Sequence, residues 1–175
     1  MSRTTALYEE KTETLLKPIA ERLNLEIYDI EYIKEGGDYI LRAYIDKEGG
    51  VSINDCEAVS RALSDILDEN DFITDPYILE VSSPGLGRQL KKDKHLAKSI
   101  GAEVLIKTYI PTEKEDFKAE RKKTKYKTKK QAEKEFIGIL KSFNDEIIVI
   151  ENDGQEIPFN RIEIANIKLK FDFKI

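Results

Sequence analysis

The sequence predicts an α+β chain in two parts, a mixed helix-and-strand half followed by an all-β half. Three observations carry this. Across residues 5–81 the hydrophobic period switches between helical and alternating in the order α-β-β-α-β. Five short apolar runs then fill residues 104–169 with no long helix among them. Charge divides at the same point: residues 1–90 carry 9 Lys and Arg against 19 Asp and Glu, a net of −10, while residues 91–175 carry 20 against 15, a net of +5. Charge asymmetry of this kind points to two domains, the basic one suited to an anionic polymer.

The first helix spans residues 5–23, with Tyr8, Leu15, Ile19 and Leu23 close to one face and Pro18 expected to kink or split it. Residues 25–33 and 39–45 alternate as half-buried strands around Glu35-Gly36-Gly37-Asp38, a tight hairpin. Ser52-Ile53-Asn54-Asp55 is a capping start for a helix bearing Cys56, Val59, Leu63, Ile66 and Leu67. Residues 77–81 supply a third strand, so residues 1–90 form a small sheet with helices packed on it, an α/β sandwich. A polar linker, 91–100, follows, with a helical turn expected around His95 and Leu96. In the domain over 101–175, strands at 104–109, 136–143, 147–151, 156–159 and 164–169 predict a small closed barrel, with Gly138 allowing a sharp bend in mid-strand.

Two stretches stand out chemically. In LEVSSPGLGRQL, residues 79–90, a strand ends in two serines, a proline and two glycines just before Arg88. Freed amides, hydroxyls and a cation are the parts of a phosphate nest, but the lysine of a P-loop is missing, and a shaped link between domains explains the same residues. The second stretch is an insertion at 111–134: residues 114–134 hold 10 Lys and Arg against 4 Asp and Glu, densest in RKKTKYKTKK. Arg121, Lys122, Lys123, Lys125, Lys127, Lys129 and Lys130 are candidate phosphate contacts, and Tyr126 among them is a candidate for stacking on a base. A solvated loop that aids solubility is the plainer reading of the same run.

Enzymatic constellations are lacking. One Cys and one His, about forty residues apart, cannot build a zinc site or a Cys–His pair, and no Gly-x-Ser-x-Gly surrounds the serines. No catalytic residue, metal or cofactor is expected. No apolar run approaches the roughly 20 residues needed to span a bilayer, and the acidic start with Glu9 and Glu10 is unlike a secretory signal, so a cytoplasmic location without membrane contact is expected.

Taken together, DYILRAYIDKEGG, GGVSINDCEAVSRALSDILDE and YILEVSSPGLGRQL resemble the bacterial ribosome maturation factor RimP family, and IPFNRIEIANIKLKFDF resembles the closing strands of its second domain. The resemblance implies a C-terminal Sm-like or SH3-like barrel and a non-enzymatic role in maturing the 30S subunit. The partners it implies are the immature small ribosomal subunit and a small-subunit ribosomal protein of the decoding region, with ribosomal RNA added by the basic insertion. Ser82, Ser83, Pro84, Gly85, Arg88 and Leu90 match the family motif and are the candidate partner-binding or interdomain positions. Gly87 and Gln89 depart from it, standing where an acid and a proline are usual, which suggests a looser loop. The rival reading is an Sm-type RNA-binding adaptor unconnected to the ribosome. Such adaptors form rings, whereas the assembly-factor reading expects a monomer.

Overall fold

The computed structural model describes residues 3–112 and 133–171. The chain divides into two compact units, Met1–Gly85 and Leu86–Ile175.

The first unit contains α1 (Arg3–Arg22), β1 (Glu26–Glu35), β2 (Asp38–Asp46), α2 (Ile53–Asn70) and β3 (Tyr77–Ser82). Helix α1 runs unsplit through Pro18, so the split, one of the two effects expected of that proline, does not occur. The proline lies near the helix end, where its missing N–H costs a single bond to the carbonyl four residues back. The helix buries Tyr8, Thr12, Leu16, Ile19 and Ala20, and the Thr12 hydroxyl donates to the Tyr8 carbonyl at 2.7 Å rather than lying unpaired. Between β1 and β2, Gly36 and Gly37 take φ of +59° and +102°, which the tight turn joining Glu35 to Asp38 requires. At the start of α2, Ser52 accepts from the Asp55 amide while Asp55 accepts from the Ser52 amide, a reciprocal cap.

The sheet order is β1-β2-β3, antiparallel for the first pair and parallel for the second, with α2 as the crossover. Alternation sends Leu41, Ala43 and Ile45 of β2 toward the helices, where they join Ile30, Tyr32, Leu16, Val59, Leu63 and Leu67 in one core. Edge strand β1 is tied to α1 by the buried Glu9, whose carboxylate accepts the Tyr32 amide N–H at 2.9 Å.

The second unit contains α3 (Asp93–Lys98), β4 (Glu103–Thr112), β5 (Glu133–Phe143), β6 (Ile147–Asn152), β7 (Gln155–Asn160), a 3-10 turn (Arg161–Glu163) and β8 (Ile164–Leu169). Its sheet is antiparallel throughout, in the order β7-β6-β5-β4-β8. The closed barrel predicted from sequence is not formed: β7 and β8 are the two ends of the sheet and do not pair with each other among the described residues. The chain passes from one end to the other through only the three residues of the 3-10 turn, so Asn160 and Ile164 lie at most about 14 Å apart. The sheet therefore curls strongly without closing, around a core of Val104, Ile106, Phe136, Leu140, Ile150, Phe159 and Ile167.

Gly138 makes that curl possible. A Cβ there would stand 2.6 Å from the Glu151 carbonyl oxygen on neighbouring β6, so only glycine fits. Residues 86–100, expected as the end of the first domain and a linker, supply this unit with interior side chains: Leu90 and Leu96 belong to its core, and His95 is 2% exposed. His95 Nδ1 accepts the backbone N–H groups of Lys91 and Lys92, at 3.1 and 3.2 Å, which fixes the chain as it turns into α3.

Candidate functional site

The sheet of the first unit has one face against its helices, and the cross-strand register composes the other. On that second face three rows run across all three strands: Ile33–Ile40–Ile78, Glu31–Arg42–Glu80 and Asp29–Tyr44–Ser82. A bulge at Tyr28 reverses the alternation, so that Ile27 joins the core while Asp29 faces the opposite way. Glu26, Glu35, Asp38 and Asp46 share this face by alternation, which gives seven carboxylates to one guanidinium.

Arg42 organises the middle row. Its Nε donates to Glu80 Oε2 at 2.7 Å and its Nη2 to Glu35 Oε2 at 3.2 Å, and these bonds hold its pKa above the ordinary arginine value. Tyr44 donates to Glu31 Oε2 at 3.4 Å. Asp29 and Glu31 are buried, whereas Ile78 and the carboxylates of Glu35 and Glu80 are about half exposed. The result is an acidic surface with an aliphatic strip, pinned by one central cation. Sequence reading missed Arg42 and this row, because its members come from three separate strands. The available signal was the alternation in each strand, but the order in which they pair is a tertiary fact.

The six motif residues fall in both units. Ser82 ends β3, and its hydroxyl donates to the Ser83 carbonyl at 3.0 Å. The exposed Ser83 Oγ accepts the Gly85 N–H at 3.1 Å, closing a small turn around the half-buried Pro84, and Gly85 takes φ +82°. Two hydroxyls and one amide of the suspected phosphate nest are thus engaged with the turn itself. In the second unit the Arg88 carbonyl accepts from the Leu169 amide at 3.0 Å, and the Leu90 amide donates to the Ile167 carbonyl at 2.8 Å. Leu90 is 4% exposed, a core residue rather than a contact surface.

The candidate RNA-binding residues Arg121, Lys122, Lys123, Lys125, Tyr126, Lys127, Lys129 and Lys130 lie outside the described residues.

Two further side chains bear on chemistry. Burial, then Asp55, pushes the Cys56 thiol up, away from the thiolate a nucleophile needs. Burial also pushes Tyr32 up to about 12, with Asp75 adding to the shift, so its phenol stays protonated at neutral pH. No described helix is long and apolar enough to cross a membrane.

The sheet with its acidic face, α2 and the Ser82–Gly85 turn all fall within residues 15–87, and this stretch matches the family model of the RimP N-terminal domain. In this stretch the chain is similar to the N-terminal domain of the RimP family.

Proposed function

We propose that this protein is a non-enzymatic assembly factor that binds the immature small ribosomal subunit in the cytoplasm and acts during 30S maturation. The observation that carries the proposal is the match to the RimP N-terminal domain, the family being one of ribosome maturation factors. Charge supports it from both ends of the chain. The face built around Glu31, Arg42 and Glu80 suits a cationic ribosomal protein of the decoding region, and the lysine-rich 121–130 suits ribosomal RNA. The turn at Ser82–Gly85 has a geometric task in this reading, presenting the end of β3 at the point where one unit gives way to the next. The protein acts as a monomer.

Co-sedimentation of the purified protein with immature small subunits tests the reading. Association at low salt that weakens with a steep salt dependence is expected. Absence of binding at low salt would overturn it. Replacing Lys122, Lys123, Lys125, Lys127, Lys129 and Lys130 by Gln separates the RNA contribution, because each lost phosphate contact lowers the slope by roughly 0.9 for duplex and less for single strands.

A further inference from the structure

The two ends of the five-stranded sheet are latent pairing surfaces, since an edge strand presents a row of backbone donors and acceptors to any chain that can align with it. In this unit each end is modified. The C-terminal half of the β8 edge is covered by the chain itself. Gln89 faces Lys168 in an antiparallel bridge, flanked by the bonds from Leu90 N–H to Ile167 O and from Leu169 N–H to Arg88 O. Three residues of strand would not stay there alone, but the Leu90 side chain is sunk in the core and His95 Nδ1 holds the two amides that follow. The other half of β8 is bent: the register with β4 passes from Lys107–Asn166 to Thr108–Ile164, which leaves Ala165 as an extra, bulged residue.

At the opposite end, β7 is blunted chemically. Asp153 and Gly154 both have positive φ, +50° and +75°, and form the two-residue turn between Asn152 and Gln155. The closing pair of such a hairpin is hydrogen-bonded and the pairs alternate, so Ile157 and Phe159 bond inward to β6 while Glu156, Pro158 and Asn160 direct their backbone groups outward. Pro158 therefore puts its missing N–H in the middle of the outer edge, where it interrupts any incoming ladder.

We infer that these features form an edge-protection device that keeps the second unit from pairing with a second copy of this chain, with residues 88–90 as the cover of the β8 edge. A β7 edge meeting a β8 edge would otherwise generate a head-to-tail contact that propagates into rings or filaments. The inference assigns the motif positions Arg88 and Leu90 to control of self-association, and it stands independently of the ribosomal reading.

The experiment is light scattering during gel filtration on the full-length protein, over a range of concentrations. Wild type and Pro158→Thr should both be monomeric, because β8 remains covered in each. The double variant Leu90→Pro/Pro158→Thr, which also removes the Leu90 donor, should associate with rising concentration. Since Leu90→Pro can unsettle the fold, Leu90→Ala/Pro158→Thr provides a milder release that keeps the N–H and withdraws the anchor. Hydrogen exchange in the wild type should show the Leu90 and Leu169 amides protected. Association of wild type, association of Pro158→Thr alone, or a folded double variant that stays monomeric at the highest concentration would each overturn the inference. So would Leu90 and Leu169 amides that exchange as fast as those of an unstructured chain.

Discussion

The two sheets of this molecule solve the same problem with different means. The three-stranded sheet lays one face on two helices and leaves its other face to side chains, so its chemistry is written in cross-strand rows such as Glu31–Arg42–Glu80. The five-stranded sheet folds around its own core and spends its special residues on backbone geometry: Gly138 at the tightest approach, Ala165 at a bulge and Pro158 at an edge. The lesson is that substitutions of one chemical type should fail for different reasons in the two units.

Glycine gives the sharpest break. Gly138→Ala places a methyl 2.6 Å from the Glu151 carbonyl oxygen, a backbone atom that cannot rotate away. Destabilisation of about 3 kcal/mol is expected, the upper part of the range for an inserted methyl, with loss of the second unit's cooperative transition in urea unfolding. Gly36→Ala in the first unit meets open space but retains φ +59°. It should cost about 1 kcal/mol, from left-handed strain alone. Equal costs at the two sites would remove the distinction between a steric and a torsional requirement.

Next comes the way each unit ties down backbone amides. Glu9→Ala leaves the buried Tyr32 N–H without its acceptor, and His95→Ala does the same to the amides of Lys91 and Lys92. Each should cost about 1–3 kcal/mol in thermal or urea unfolding, the desolvation cost of orphaned donors. Amide exchange separates them: Tyr32 should lose protection in the first variant, Lys91 and Lys92 in the second.

The ease of reading these features from sequence differed between the units. Most elements of the first unit were legible because their apolar residues recur at the period of the structure they form, and the Ser52–Asp55 cap is a local signal. Leu16 does not stand out in the sequence because the stripe on α1 is interrupted by Thr12, a polar residue that becomes buried by bonding back to the Tyr8 carbonyl. Residues 91–100 read as a linker because Leu96 and Ile100 are the only large apolar residues in a polar run, and two such residues set no period. Whether a five-stranded sheet closes depends on how its ends meet, which no strand encodes by itself. The candidate site divided in the same way: the Ser82–Gly85 turn is a local motif, whereas the face centred on Arg42 exists only once β2 lies between β1 and β3.

That face yields a smaller effect. Glu35→Gln with Glu80→Gln removes both ion-pair partners of Arg42 and leaves a cation at the centre of a less acidic surface. Partly exposed pairs contribute about 0–1 kcal/mol each to stability, so folding should change little. Association with immature subunits should slow several-fold, mainly through the on-rate, as rim charges act on encounter. Stopped-flow or surface-binding kinetics would show it. An unchanged on-rate would move the protein-binding surface away from this sheet.

The smallest effect is confined to acid, and it too separates the units. Asp55 accepts from Lys47 Nζ at 2.6 Å, from the Ser52 amide at 2.8 Å and from its hydroxyl at 2.7 Å, and these bonds, that to Lys47 foremost, lower its pKa to about 2. A carboxylate depressed in the folded state stabilises it fully above the unfolded value of about 4, and the contribution disappears as pH falls through the folded value. Stability of the first unit should therefore decline between about pH 4 and pH 2, and Asp55→Asn should flatten that decline. Glu135 of the second unit is also lowered, chiefly by Lys107 at 2.7 Å, but on an exposed pair. Salt screens an exposed pair readily, whereas Asp55 keeps its two bonds from Ser52 inside the helix cap. Added salt should thus erase the Glu135 contribution and leave most of the Asp55 one, which acid titrations of each variant at low and high ionic strength would reveal. A first-unit decline as salt-sensitive as the second would mean that Lys47 alone, and not the cap, holds Asp55 ionised.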